Sequence, residues 1–219
     1  MAVTSRKMND ILKLFIKILI FIHNLSYRYI GIFSQILEKG IHPKHRLMKY
    51  HLFFVNNINS GDSVLDIGCG NGYLTYDVSK KAKKVVAVDL DRKNIELAKK
   101  KCFRQNITYL VGDGTRLNLE EKFDVVVLSN ILEHIEDRSG FLSRIYPFVD
   151  KFLIRVPMVN RDWLTYYKKE LGCNYFLDPT HKIEYTLETF EKEMAEAGLK
   201  VKNFSVQFGE IWAVVTKNG

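Results

Sequence analysis

The 219-residue sequence predicts an α/β chain: a doubly wound, mostly parallel seven-stranded sheet that ends in an antiparallel hairpin and is preceded by an N-terminal helical arm. Three observations carry this reading. From residue 63 onward, short apolar runs alternate with amphipathic segments, the pattern of parallel strands joined by crossover helices. With 47% apolar residues, among them 14 Phe and 11 Tyr, the chain can bury one substantial core, which excludes wholesale disorder. The composition then changes at Asn59-Ser60-Gly61-Asp62, which sets an arm of residues 1–59 apart from a main domain of residues 60–219.

The arm comes first in the chain and holds most of the charge. Residues 1–60 carry nine Lys/Arg against two Asp/Glu, a balance of +7, whereas residues 61–219 carry twenty-four against twenty-three, a balance of +1. Within it, Ile11 to Ile22 reads ILKLFIKILIFI, with Lys13 and Lys17 on one helical face; this is too short and too charged to cross a bilayer. Two readings stay open: the helix packs on the main domain or on a dimer partner, or it lies in a membrane interface, drawn to anionic lipid. A second apolar run, Tyr29 to Leu37, extends the same surface.

In the main domain, Ser63–Ile67 is expected as the first strand and Gly72–Lys81 as the first helix. Val85–Val88 is the second strand, Arg92–Phe103 a Lys-rich helix, and Ile107–Val111 the third strand. Phe123–Leu128 is an almost unbroken apolar run, as a central strand covered on both faces requires. A helix over Ile131–Tyr146 and a fifth strand over Phe152–Val156 follow. Pro157–Thr180 reads as irregular, and its length marks it as functional. Leu187–Ala197 is a helix closed by Gly198, and Lys200–Gln207 and Ile211–Lys217 form a hairpin around Phe208-Gly209-Glu210.

Cys69, Cys102 and Cys173 lie far apart, and the chain opens without the pattern of a secretory signal, so a disulfide-stapled secreted domain and a Cys-ligated metal are not expected; the expected compartment is the cytoplasm. The first strand runs into Asp66-Ile67-Gly68-Cys69-Gly70-Asn71-Gly72 at a helix start, where a doubly wound sheet binds a nucleotide-like ligand. Gly68 and Gly70 let the backbone approach the ligand. Asp89 ends the second strand nineteen positions after Gly70, placed to accept hydrogen bonds from two ribose hydroxyls, and Asp113 ends the third, within reach of an adenine amino group. A dinucleotide site would also need glycines and an acid, but the spacing is G-x-G-x-G. Asp66, two positions before Gly68, would repel a pyrophosphate and tolerate a cofactor with a cationic amino-acid end.

The segments VLDIGCGNG, VVAVDLD, VGDGTRL and FDVVVLSNILEHIED resemble the successive motifs of class I S-adenosylmethionine-dependent methyltransferases over residues 60–216. The resemblance implies a Rossmann-like fold and S-adenosylmethionine as cofactor. It implies that the glycine turn approaches the methionine part, that Asp89 binds ribose, that Leu90 packs on the adenine ring beside Asp113, and that Asn130 stands on the cofactor side of the fourth strand's end. Arms before the first strand often close over the cofactor in that family; in IHPKHRLMKYH, Arg46 could pair with the cofactor carboxylate.

The turn Leu128-Ser129-Asn130-Ile131-Leu132-Glu133-His134-Ile135 lacks the Asn/Asp-Pro-Pro-aromatic element of amino-directed nucleic-acid enzymes and the cysteine nucleophile of cytosine C5 enzymes. Hydroxyl acceptors remain, for which a base is needed, and His134 is the candidate; alternatively Glu133-His134 only completes a helix start. His134 and His181, in Asp178-Pro179-Thr180-His181-Lys182-Ile183-Glu184, are similar to an arrangement in small-RNA 2′-O-methyltransferases and ubiquinone-pathway O-methyltransferases, where a Glu-x-x-Glu-His element and a later histidine hold a divalent ion. The resemblance thus names Glu133, His134 and His181 as ligands of Mg or Mn, with Asn130 in place of the first glutamate.

The stretch Met158–Phe176 supplies Arg161, Trp163, Tyr166, Tyr167, Lys168, Lys169 and Tyr175, whose rings suit a sugar or a quinoid ring and whose cations suit phosphate or carboxylate. The sequence therefore puts first an O-methyl transfer to a sugar or glycolipid-type acceptor at the cytoplasmic membrane, and second a quinone-like or phenolic lipid or small molecule. Nucleic acid comes last, because the main domain has almost no net charge. The competing class is a cofactor-binding regulatory protein without turnover.

Overall fold

The computed structural model describes residues 2–218, with side chains from residue 6 onward. Two compact units are present: residues 1–49 together with 162–176, and residues 50–161 together with 177–219.

The first unit is helical. One continuous helix, α1 (Ala2–Leu37), takes up both apolar runs that the sequence separated, because nothing between Ile22 and Tyr29 breaks a helix. It ends at Lys39 and Gly40, both at positive φ, and α2 (Lys44–Met48) follows. No described helix is long and apolar enough to cross a membrane.

The second unit holds the sheet, in the order β3-β2-β1-β4-β5-β7-β6. Strands β1 (Ser63–Ile67), β2 (Lys84–Asp89), β3 (Ile107–Val111), β4 (Phe123–Ser129) and β5 (Val149–Pro157) run parallel. β6 (Leu199–Gln207) and β7 (Glu210–Lys217) form the expected antiparallel hairpin, and β7 also pairs antiparallel with β5. Phe208 and Gly209 occupy the two-residue turn at φ 53° and 73°, so Glu210 belongs to the strand and not to the turn. β4, at the centre, buries five of its seven residues, as its continuous apolar run requires.

This unit begins at Tyr50, ahead of the boundary expected after residue 59. The short helix α3 (His51–Asn56) is the cause: Tyr50, Phe54 and Ile58 are buried, and the Phe53 ring lies 6.0 Å from that of Trp212. α4 (Tyr73–Ser79) and α5 (Arg92–Lys101) match expectation to within a turn; Asp91 caps the second by accepting from the Lys93 N–H. The helix expected over Ile131–Tyr146 is broken. Leu132–His134 forms one 3₁₀ turn, Ile135 is extended, and α6 (Arg138–Ile145) starts afresh with the Asp137 carboxylate accepting from the Gly140 N–H.

The stretch expected to be irregular contains α7 (Trp163–Glu170), in the first unit, started by the Asp162 carboxylate accepting from the Thr165 N–H. Within that unit, Lys168 Nζ donates to Asn24 Oδ1 at 2.7 Å, and Asn24 Nδ2 donates to the Asn174 carbonyl at 3.1 Å. In the second unit α8 (Leu187–Glu196) carries a Thr186/Thr189 capping box and stops at Gly198, at φ 73°.

Candidate active site

The parallel strands β1, β2, β3 and β4 end on one side of the sheet, and there a cleft of about 910 Å³ opens. Its walls include Ile67, Gly68, Asp89, Leu90, Ile131 and His134. The placement is the crevice at the topological switch point, between β1 and β4, where the strand order reverses.

The floor is the turn after β1. Gly68 and Cys69 donate their N–H groups to the Val88 carbonyl at 2.8 and 3.0 Å, which pulls the turn against β2. Gly68 is at φ 73°, which strains any other residue, and a Cβ there would stand 2.0 Å from Ile131 Cδ1 and push that side chain aside. Gly72, the third glycine of the G-x-G-x-G motif, to which the sequence assigned no role of its own, is confined more tightly: at φ 82° its Cβ would fall 2.8 Å from both Ala98 Cβ and the Tyr109 hydroxyl. Above Gly70 nothing lies within 4 Å of a Cβ position, so the turn faces open space there.

Asp89 braces this turn. Its Oδ2 accepts from the Gly70 N–H at 2.8 Å, and its Oδ1 accepts from the Asp91 N–H at 2.9 Å and from Asn94 Nδ2 at 3.1 Å. Three of roughly four acceptor positions on the carboxylate are thereby used, leaving room for about one further strong bond rather than two. Asn94 had no signal in the sequence beyond its place at the start of a helix. Leu90, 76% exposed, offers a bare apolar side chain on the cleft wall.

The other two acids of the sequence pattern are differently engaged. Asp66 is buried and accepts from the Thr75 hydroxyl at 2.6 Å; burial pushes its carboxyl up to about 6, and it is not among the residues that line the cleft. Asp113 accepts from both the N–H and the hydroxyl of Thr115, which holds its carboxyl below the usual range, while its neighbours Gly112, Gly114 and Thr115 form the wall. Arg46, the residue expected to pair with the cofactor carboxylate, belongs to the first unit and pairs there with Glu38 at 2.5 Å; the two sit either side of the turn that joins α1 to α2.

The far wall is the turn after β4. Asn130, at φ 58°, donates its N–H to the Arg155 carbonyl at 2.8 Å, and its buried Oδ1 has no hydrogen-bond partner among the described residues. Glu133 is fully buried with both carboxylate oxygens unpartnered among the described residues, and burial pushes its carboxyl up to about 8. His134 lines the cleft; burial and the neighbouring His181 hold it below the ordinary histidine value. The two rings meet edge to face, centroids 4.8 Å apart. Donor atoms of Glu133, His134 and His181 all lie within 4.8 Å of one another, so the structure does bring these three together.

Each histidine is oriented through Nδ1. The Thr180 hydroxyl donates to Asp178 Oδ1 at 2.6 Å, and its oxygen, 2.8 Å from His134 Nδ1, is left to accept from that ring. His181 Nδ1 donates to Glu184 Oε1 at 3.0 Å, and Glu184 also accepts from the Leu177 N–H and from Arg161. Burial raises the Glu184 carboxyl, but His181, Leu177 and Arg161 outweigh it and keep it below the usual range. With Nδ1 of His134 donating to Thr180, its Nε2 is the ring nitrogen left to accept a proton.

Beneath this turn lies a buried pair that the sequence reading missed. Arg155, in β5, donates to Glu210 of β7 through Nε and Nη2 at 2.5 and 2.7 Å; its guanidinium carbon stands 3.8 Å from the centroid of the Tyr50 ring. The Trp212 indole N–H also reaches Glu210, at 3.1 Å. The only hint was a lone cation inside the apolar run Phe152–Val156.

Comparison with known proteins adds to this geometry. A family model described as a methyltransferase domain matches residues 65–150. A ubiquinone biosynthesis O-methyltransferase of Pelagibacter ubique is 32% identical over 177 residues, covering 71% of this chain and 74% of that protein. Another protein of that name, from Bradyrhizobium diazoefficiens, is 32% identical over 124 residues, 55% of this chain and about half, 49%, of its own length. Among solved structures, an S-adenosylmethionine-dependent methyltransferase from Clostridium acetobutylicum superposes with a TM-score of 0.63 at 18% identity, covering 89% of this chain and all of that one.

Proposed function

The chain belongs to the class I S-adenosylmethionine-dependent methyltransferases, and from that membership we propose that it methylates a hydroxyl oxygen of a quinone-type or phenolic lipid. The observation that carries the reading is His134: a cleft-lining histidine whose Nδ1 is engaged by Thr180, so that an unprotonated Nε2 is available in the same crevice as the glycine turn, Asp89 and Leu90. The names of the relatives support a quinone-type or phenolic acceptor over the sugar or glycolipid acceptor that the sequence put first. Membership in an enzyme family also weighs against the regulatory protein without turnover.

The cleft fits an adenosyl cofactor without phosphate. Leu90 is bare for a base ring, Asp89 has one acceptor position left for a ribose hydroxyl, and the space over Gly70 is open to the amino-acid end. Asp66 and Asp113 act in this reading mainly by holding the turns that form the walls, and Asn130 by the backbone kink that turns Ile131 toward Gly68. When bound, the cofactor supplies a methyl group on a cationic sulfur. His134 Nε2 takes the acceptor's proton as its oxygen gains the methyl, and Thr180 with Asp178 steadies the imidazolium that results. Replacing Asp89 by Ala is expected to weaken S-adenosylhomocysteine binding by about 1.5–3 kcal/mol in calorimetry, the value of hydrogen bonds to a charged group. Asn94→Ala, which removes one brace and no ligand contact, is expected to cost less; an equal loss in both would reduce Asp89 to a brace.

A second reading is favoured by the unpartnered oxygens of the buried Glu133, which with His134 and His181 make a mixed nitrogen and oxygen donor set that could hold a divalent ion, its two imidazoles fitting Mn²⁺ better than the oxygen-seeking Mg²⁺. A bound ion would acidify an adjacent hydroxyl. Without one, Glu133 is protonated at neutral pH, and its raised value means that folding stability falls as pH rises from the ordinary carboxyl range through about 8. In this reading Mn²⁺ raises the Tm at pH 7 in the native chain and not in Glu133→Gln, and chelation removes activity. The experiment for the main reading is transfer of labelled methyl to a catechol-bearing polyprenyl lipid and to a glycolipid in parallel. Turnover on the glycolipid alone would restore the sugar reading, and turnover that survives chelation, with no Mn²⁺ effect on Tm, leaves His134 as the base without metal.

A further inference from the structure

We propose that α1 is a docking face for the surface of an anionic lipid bilayer, on which it lies in the plane of the headgroups. The helix has 36 residues, about 54 Å at 1.5 Å per residue. Along one side run Ile11, Phe15, Ile18 and Ile22, at three- and four-residue steps, and, three turns on, Phe33 and Ile36, each between 45% and 69% exposed and all on one face. The opposite side is where the first unit packs: Ile20 is buried, Asn24 is bonded to Lys168 and Asn174, and Gly31 sits against His42. The apolar face therefore points away from the packing that holds the helix in its unit.

The width and charge of the face identify its occupant. Leu14 and Phe21 on one flank and Leu12 and Leu19 on the other are also exposed, so the apolar arc covers about 180° of the circumference. A two-helix seam buries a narrower stripe and sets charged residues of both signs on its flanks. Here the flanks are apolar, and Arg6, Lys13, Lys17 and Arg28 gather on the opposite side with Asp10 alone among them, while Lys7, one turn before Ile11, sets a cation at the N-terminal end of the apolar face. Residues 1–49 carry nine Lys/Arg against two acids, so a second copy would bring two strongly cationic arms together, whereas an anionic bilayer offers both an apolar plane and the opposite charge. The inference rests on the reading of a lipid-borne acceptor for its purpose, and it gives that reading its geometry of supply: the enzyme works at the surface where such an acceptor resides.

Vesicle binding is read without any acceptor, so its failure and a failure of methyl transfer are separate results. The full chain is incubated with phosphatidylcholine vesicles and with vesicles containing one-third phosphatidylglycerol, then floated on a density gradient. The expected result is at least tenfold stronger partitioning onto the anionic vesicles, weakened by high salt, and a comparable loss in Phe15→Glu/Ile22→Glu while S-adenosylhomocysteine affinity stays unchanged. An environment-sensitive dye on Leu19→Cys should shift to the blue with anionic vesicles, and one on Lys17→Cys should not, which tests the face without an added charge. Equal partitioning of the native chain and the double variant would overturn the proposal. So would a chain that ignores vesicles and sediments as a dimer that Phe15→Glu/Ile22→Glu dissociates, the result expected of a second copy on this face.

Discussion

Alanine at His134 is expected to lower turnover by roughly 10²- to 10⁴-fold, the usual contribution of a positioned general base, with S-adenosylhomocysteine affinity nearly unchanged. His134 is on the wall of the cleft but on the turn after β4, whereas Asp89 and the glycine turn follow β2 and β1, so the variant removes a proton acceptor without disturbing those residues. Its pH dependence follows from the direction of the shift. Burial and His181 hold His134 below the ordinary 6.5, so the neutral, proton-accepting ring is fully present at neutral pH and is lost only as pH falls through that lowered value. In steady-state kinetics kcat/KM should be flat above neutrality and decline on the acid side. Thr180→Val, which keeps the shape and removes the hydroxyl that engages Nδ1, should lower kcat and leave KM for the cofactor alone. If His134→Ala retains full turnover on an active acceptor, the base assignment fails and catalysis rests on alignment of the acceptor.

Alanine at Arg155 is expected to destabilise the second unit by about 3–5 kcal/mol, the cost of breaking a buried ion pair from one side. Arg155 and Glu210 are 2% and 7% exposed, and the guanidinium makes two short bonds to one carboxylate, so truncation would strand Glu210 in the interior with the uncharged Trp212 N–H as its side-chain partner among the described residues. Urea unfolding should report the loss, and Tm should fall by on the order of 10 °C for a unit of this size. The double variant Arg155→Met/Glu210→Leu should recover much of it, because no buried charge is left unpaired. A single variant as stable as the native chain would mean that water reaches the pair.

What the sequence determined by itself is what short-range patterns encode. Buried strands such as Val125–Leu128 declare themselves by an unbroken apolar run, and the hairpin by a turn between two β-rich segments. The ligand crevice was legible because its parts, the glycines after β1 and the acid after β2, lie at the ends of adjacent elements, where backbone geometry restricts which residues can stand. Gly72 was legible as the third glycine at the entry to α4, but the packing that requires it, against Ala98 and Tyr109, was not.

The tertiary structure alone decided the rest. Whether Ile131–Tyr146 is one helix depends on Asn130 adopting a positive φ and on Ile135 leaving the helix, and both answer to packing against β5 and Lys182 rather than to propensity. The α1 helix reads as two apolar runs because its polar residues Asn24 and Arg28 look like an interruption; only the bonds of Asn24 to Lys168 and Asn174 show that the helix runs through them. That Arg46 pairs with Glu38, eight residues before it, depends on the turn between α1 and α2 folding back. Arg155 meets Glu210 across 55 residues, and His134 meets Thr180 across 46. Such pairs leave no periodic trace in the chain, because the interaction energy of a charge or a hydrogen bond depends on distance in space, and residue spacing constrains that distance only over a turn or two of helix or strand.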